Sequence, residues 1–240
     1  MSSSISIIGT GIMASALAGR ALAGGNAVEI IGRDPTKAEE LAAPLGGATV
    51  GTTGAAPAGD MVILAVPYAS AAAVVREYGN ALRGKAIVDI TNPITPDLSG
   101  FLTLQGTFGA QEIAKDAPAG AHVVKAFNTL PSDVVATGSA EGRPLDVFIA
   151  GDDAEAKVSV SAFVESLGMR PLDTGPLAMA RALEHATLCC IWASSPTPSS
   201  TPTSSSASAF SAEPTRTTTS RATRRQSFCG TRRTAPPPTS

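Results

Sequence analysis

Two hydrophobic rhythms alternate along the first 175 residues. Short runs rich in Ile and Val, at residues 5–8, 27–31, 48–50, 61–66, 86–90, 122–127, 146–150 and 170–172, read as strands. Several of them, such as Met61-Val62-Ile63-Leu64, are apolar at every position, the pattern of a strand covered on both faces. Between them lie segments with apolar residues at three- and four-residue spacing. These predict helices over 12–23, 35–45, 70–78, 109–117 and 154–167, and a final amphipathic helix over 177–191. Punctuation supports these limits. Gly24-Gly25 and Gly46-Gly47 end helices, Asp34-Pro35 supplies an N-cap with proline in the first turn, and Asp152-Asp153 caps the long helix that follows. Strands alternating with helices predict an α/β fold, Rossmann-type and doubly wound, with a mostly parallel sheet.

The first strand-to-helix junction carries the most specific chemistry. Gly9-Thr10-Gly11-Ile12-Met13-Ala14 is G-x-G-x-x-A placed directly after a β-branched strand and at the start of a helix. Glycines there allow a tight turn and close approach of backbone to a diphosphate, and a small sixth residue lets the helix pack on the sheet. The helix start also directs unpaired N–H groups at the anion. Gly9, Thr10, Gly11, Ile12 and Met13 are therefore candidate dinucleotide ligands. The alternative is a structural turn with no ligand.

The end of the second strand reads the cofactor. An NAD site places an acid there to hold the ribose hydroxyls. Here the position is Gly32, followed by Arg33, with Lys37 one helical turn beyond. The missing acid and the two bases favour a 2′-phosphate and hence NADP; the alternative is a solvated surface pair, with Asp34 only an N-cap. Three later strand ends carry irregular residues where a doubly wound sheet binds ligands: Ala65-Val66-Pro67, Asn92-Pro93, and Ala126-Phe127-Asn128. Asn92 and Asn128 suit a carboxamide or ribose, although each taken alone could simply satisfy loop backbone. No Ser-His-Asp set and no Tyr-x-x-x-Lys motif is present, so no catalytic side chain is assigned. Hydride transfer between two stacked rings needs none.

These motifs together resemble the NADPH-dependent F420 reductases. The resemblance rests on Ile7-Ile8-Gly9-Thr10-Gly11, Gly32-Arg33-Asp34-Pro35-x-Lys37-Ala38, Val124-Lys125-Ala126-Phe127-Asn128-Thr129, Gly151-Asp152-Asp153, and Asp173-x-Gly175-Pro176-Leu177-x-x-Ala180-Arg181. It runs over residues 4 to about 192. It implies hydride transfer between NADP and a 5-deazaflavin, or a flavin in some relatives. It also implies 2′-phosphate contacts at Gly32, Arg33 and Lys37. Nicotinamide and acceptor contacts would fall on the loops at Ala65-Val66-Pro67, Asn92-Pro93 and Ala126–Asn128. The family continues the last helix past Arg181-Ala182-Leu183-Glu184 into a segment that covers the acceptor and helps dimerise. Here a different composition takes over, so a homodimer is expected to be weakened.

Charge sharpens that departure. The chain is −2 overall, but residues 194–240 carry six arginines against one acid, Glu213, in a background of Ser, Thr and Pro. Such a segment lacks the apolar residues to offset its ordering entropy and is expected to be disordered. Its abrupt start inside an amphipathic helix fits an out-of-frame reading better than a nucleic-acid-binding tail. The expected organisation is a Rossmann domain over 1–175, a shortened helical cap over 176–192 and a tail over 193–240. Nothing in the chain has the length of a membrane span, and Met1-Ser2-Ser3-Ser4 leads straight into a strand without a signal peptide, which points to a cytoplasmic protein. Cys189, Cys190 and Cys229 make no metal or disulfide pattern, and the vicinal pair reads as buried core thiols. Two histidines, His122 and His185, leave no His-rich metal site. The partner expected is a small-molecule redox co-substrate, with a cofactor-binding protein lacking turnover as the other reading.

Overall fold

The computed structural model describes residues 3–194, with side chains to Ile191. The expectations for the tail beyond residue 194 and for Cys229 lie outside the described residues. Elements follow in chain order as β1 (Ser4–Ile8), α1 (Ile12–Ala23), β2 (Ala27–Ile31), α2 (Pro35–Ala42), β3 (Thr49–Gly51), β4 (Met61–Leu64), α3 (Tyr68–Tyr78), β5 (Ala86–Asp89) and α4 (Gly109–Asp116). The second half contains β6 (His122–Lys125), α5 (Ser132–Thr137), β7 (Ser139–Ala140), β8 (Arg143–Pro144), β9 (Asp146–Gly151), α6 (Ala154–Ser166), β10 (Arg170–Asp173) and α7 (Ala180–Ser194).

Eight strands form one sheet in the order β10-β9-β6-β5-β4-β1-β2-β3. The six strands from β3 to β6 are parallel and have the doubly wound order, reversing direction of growth at β1 and β4. Register places Ile8 beside both Ile31 and Leu64, Leu64 beside Asp89, and Asp89 beside Lys125. Their carboxyl ends therefore lie at one level. β9 runs antiparallel to β6 and β10 runs parallel to β9. The mostly parallel expectation holds, and this far edge is the antiparallel exception.

Side chains of successive strand residues point to opposite faces. Ile5, Ile7, Ile30, Ile63, Val88 and Val124 pack with Leu17 of α1 and Val160 and Phe163 of α6. Ile8, Ile31, Leu64, Ile87 and Val123 pack with Ala71 and Val75 of α3, Ile113 of α4 and Ala180 of α7. A strand buried twice has no room for a solvated face, which is why the central strands are mostly apolar and their polar exceptions, Ser6, Asp89 and Lys125, are each hydrogen-bonded inside the fold. Asp34 caps α2 by accepting from the Thr36 N–H at 3.1 Å, and Asp153 caps α6 by accepting from the Ala156 N–H at 2.8 Å.

Some expectations need correction, and one segment carried none. The strand expected over 61–66 stops at Leu64, because Ala65 and Val66 lead into α3, which begins at Tyr68 rather than residue 70. The strand expected over 122–127 stops at Lys125, because Phe127 takes a left-handed φ of 60° and leaves the ladder. The segment after Asn128 contains α5 and the β7–β8 hairpin, both too short to show periodicity. Cys189 and Cys190 are exposed, not buried, because α7 turns Leu183, Glu184 and Thr187 inward and these thiols outward.

Candidate functional site

The ends of β1, β2 and β4 open onto a cavity of about 470 Å3. Among its lining residues are Gly9, Thr10, Gly11, Gly32, Arg33, Lys37, Ala65, Val66 and Pro67. Nine of the predicted ligands are thus brought together, although they come from three separate strand ends. The glycines explain how the walls approach so closely. Gly9 has φ +134°, and a Cβ there would lie 2.0 Å from the Ala65 carbonyl oxygen. At Gly32 a Cβ would lie 2.7 Å from the Thr10 methyl carbon. At Gly11 a Cβ would meet nothing within 4 Å, so this position faces open space.

Gly11 is also the N-cap of α1 and supplies no side-chain cap, and the first turn of that helix contains no acid. Its N–H groups lack intrahelical acceptors and the dipole adds positive potential. α2 and α6 each receive an aspartate at the same place. The cradle at α1 thus fits an anion supplied from outside. Arg33 and Lys37 are exposed and join none of the ion pairs among the described residues. Their charges remain available at the acid-free end of β2. A dinucleotide carrying a 2′-phosphate fits this donor set. Glu77 of α3 lines the opposite wall and was not anticipated from the sequence. Ile12 and Met13 lie outside the cavity lining. The Ile12 side chain is 79% exposed and Met13 packs on the core, so their possible contribution is through backbone N–H groups.

The remaining predicted residues form a second group at the ends of β5 and β6. The Asn92 amide donates to the Asn128 carbonyl oxygen at 2.8 Å, and the Asn128 amide donates to Asn92 Oδ1 at 3.1 Å. Asn128 Nδ2 also reaches Thr187 Oγ1 of α7 at 3.1 Å, and the Thr187 hydroxyl bonds the Asn128 carbonyl at the same distance. Pro93 is buried beside Gly109, and Ala126 is fully buried in the core.

Below the asparagines lies a charge cluster that sequence reasoning missed. Lys125 is wholly buried. Its Nζ donates to Asp89 Oδ2 at 2.8 Å, to Glu184 Oε1 at 3.0 Å and to the Thr91 carbonyl at 2.6 Å. Asp89 Oδ1 accepts from the Thr91 N–H and hydroxyl, and Glu184 accepts from the N–H groups of Gly109 and Ala110 at the start of α4. Every charge is paired and further hydrogen-bonded, the condition under which buried ions are tolerated. The available signal was a charge at the end of each of two apolar strands, Asp89 and Lys125, which register places side by side.

Tyr68, just past the cavity wall at Pro67, donates its hydroxyl to Glu112. Burial first, and that carboxylate second, push the phenol well above its ordinary pKa. Burial pushes Glu112 up, but the bonds from Thr107 and Tyr68 outweigh it and leave the carboxyl below its usual range. Tyr68 therefore remains a protonated donor. No group of three or more His, Cys, Asp or Glu side chains among the described residues could hold a metal ion. No helix among them is long and apolar enough to cross a membrane.

Residues 4–93 match the family model described as NADP oxidoreductase, coenzyme F420-dependent. The chain is 32% identical over 181 residues to the metalloreductase STEAP3 of Rattus norvegicus, covering 75% of this chain and 35% of that protein. It is 30% identical over 141 residues to the F420-dependent NADP reductase of Methanothermobacter marburgensis, covering 55% of this chain and 62% of the reductase. The chain thus spans between a third and two thirds of these relatives. A solved structure of the hypothetical protein SMa0349 from Sinorhizobium meliloti superposes with a TM-score of 0.68 at 32% identity, covering 75% of this chain and 88% of that one.

Proposed function

We propose that this chain, whose residues 4–93 match the coenzyme F420-dependent NADP oxidoreductase family, binds NADP(H) in the cavity at the ends of β1, β2 and β4. We further propose that it passes a hydride between that cofactor and a 5-deazaflavin of the F420 type or a flavin. The observation that carries this reading is the pairing of an uncapped, acid-free helix start at Gly11 with free Arg33 and Lys37 in one cavity. The first suits a diphosphate and the second a 2′-phosphate.

When bound, the nicotinamide supplies the hydride. The chain's own residues position and shield. Gly9 and Gly32 let the strand ends close up, and the α1 N–H groups fix the diphosphate. Arg33 and Lys37 select the phosphorylated ribose. Ala65, Val66 and Pro67 carry the wall towards the ends of β5 and β6, where Asn92 and Asn128 stand. Proximity and exclusion of water are what a ring-to-ring transfer asks of a protein. The Tyr68 phenol, held protonated with its proton committed to Glu112, supplies no base at that edge.

Stopped-flow mixing with NADPH and a panel of deazaflavin and flavin acceptors tests the reading. Loss of NADPH absorbance in step with reduction of one acceptor is expected. NADPH binding without oxidation by any acceptor would leave a cofactor-binding protein and refute the enzymatic part.

A further inference from the structure

The buried charge cluster and the asparagine pair share a single support, α7. Glu184 and Thr187 lie one turn apart on it and point inward, 1% and 7% exposed. Glu184 ties Lys125 at the end of β6 to the first N–H groups of α4. Gly109 leaves room for this contact, since a Cβ there would lie a tight 3.0 Å from Glu184 Oε1 and from the Tyr68 ring. Thr187 holds both the amide and the carbonyl of Asn128. Between the two anchors the chain runs through Phe127, whose left-handed φ is a conformation a non-glycine residue keeps only when its surroundings impose it. The Asn128 Oδ1 atom is buried and has no partner among the described residues. Such an arrangement is more ordered than a bare strand end needs.

Resting on the proposed NADP reading, we propose that Glu184 and Thr187 are positioning residues, which through Lys125 and Asn128 hold the ends of β5 and β6 in the shape that receives the nicotinamide half of the cofactor. They touch neither the cofactor nor the acceptor. Their effect is confined to one half of the ligand, because the diphosphate and 2′-phosphate contacts come from β1, α1 and β2, whereas Glu184 and Thr187 bond Lys125, Asn128, the start of α4 and their own helix.

That division supplies a test that needs no turnover. NADP+ and 2′-phospho-ADP-ribose, which lacks only the nicotinamide, are titrated calorimetrically against the full chain and against Thr187→Val, Thr187→Ser and Glu184→Gln. In the unaltered protein NADP+ binds more tightly than the truncated ligand. In Thr187→Val and Glu184→Gln the advantage is expected to fall at least fivefold, with 2′-phospho-ADP-ribose affinity unchanged within twofold. Thr187→Ser, which keeps the hydroxyl, restores it. A merely structural role would lower the melting temperature while leaving the ratio of the two affinities intact in the folded protein, and that result overturns the proposal. Should Glu184→Gln fail to fold, the Val and Ser pair at residue 187 still decides. Failure of both ligands to bind the unaltered protein would instead refute the NADP reading itself.

Discussion

Two glycines two residues apart should respond in opposite ways to a small side chain. Gly9 is held between strands: its N–H donates to the Ile31 carbonyl at 2.8 Å, while the adjacent Ile8 carbonyl accepts from Ala65 at 2.9 Å. An alanine methyl group would start 2.0 Å from the Ala65 oxygen and 2.7 Å from its carbon, at φ +134°. Relief requires β1 and β4 to part at their ends. A forced left-handed backbone costs about 1–3 kcal/mol. Each ladder hydrogen bond given up removes about 1 kcal/mol net. Gly9→Ala should therefore destabilise by about 3–4 kcal/mol. At about 2–4 °C per kcal/mol for a chain of this size, the melting temperature falls by about 10 °C. Gly11 has φ −85°, which any residue adopts, and its Cβ meets nothing within 4 Å. Gly11→Val costs only the difference between glycine and valine as an N-cap, about 1 kcal/mol or less.

Binding should follow the reverse order. The valine branches project into the open space in front of the α1 N-terminus, where the diphosphate is proposed to sit. Losing two charge-assisted hydrogen bonds at about 1.5–3 kcal/mol each removes about 3–6 kcal/mol. At 1.4 kcal/mol per decade, affinity falls by about a hundredfold or more. The assay is a thermal melt of each variant followed by fluorescence titration with NADPH at a temperature where it is folded. A folded Gly11→Val chain with undiminished NADPH affinity would refute the placement of the diphosphate. A Gly9→Ala chain melting with the unaltered protein would refute the packing argument.

Arg33→Ala should weaken NADPH about tenfold and leave NADH nearly unchanged, since one charge-assisted bond covered by the bound ligand is worth about 1.5 kcal/mol; equal losses for both cofactors in a titration would count against the 2′-phosphate contact. The same preference for NADPH should shrink with added salt, because Arg33 and Lys37 are exposed and screened, and a salt-independent ratio would contradict it. Both tyrosines of the chain, Tyr68 and Tyr78, have phenols raised by burial above the ordinary value. Their protonated form is the one the fold prefers, so the stability it contributes is present below about pH 10 and is lost as pH rises through the folded values. Absorbance at 295 nm should stay flat at pH 10 in the folded protein and rise in denaturant, and a folded-state tyrosinate signal at that pH would show the phenols to be ordinary.

Local chemistry made the lining of the cavity legible. Gly9 and Gly32 are needed where strand ends approach closely, and Gly11, Arg33 and Lys37 lie within a few residues of the same strand ends. The capping aspartates, Asp34 and Asp153, are local too and act as expected. What escaped depends on contacts distant in sequence. β9 reads as a strand, but its antiparallel direction is set by the path through α5 and the hairpin, which no periodicity announces. Cys189 and Cys190 sit in an apolar run whose inward face is chosen by Glu184 and Thr187, two polar residues that pattern reading assigns to the outside. Glu184 meets Gly109 across 75 residues, and nothing near either of them foretells it.

The same long-range contacts change what the last helix is for. A helix held only by Leu183 and Ala180 could slide along the apolar face of the sheet without a large penalty, since burial is not directional. A carboxylate that must meet Lys125 and two backbone N–H groups together has essentially one position. Removing Lys125 leaves Asp89 and Glu184 buried without an opposite charge, which is far more costly than a lost apolar contact. The cluster therefore fixes the register of α7 rather than adding to stability as such, and Thr187 inherits that register one turn later. On this argument Lys125→Met, with its partners left charged, should be worse for folding than the triple change of Lys125, Asp89 and Glu184 to Met, Leu and Leu. The triple variant should fold, bind 2′-phospho-ADP-ribose normally, and lose the advantage of NADP+ over it. A triple variant that keeps that advantage would show that apolar packing alone sets the helix, and that the buried charges do not determine its register.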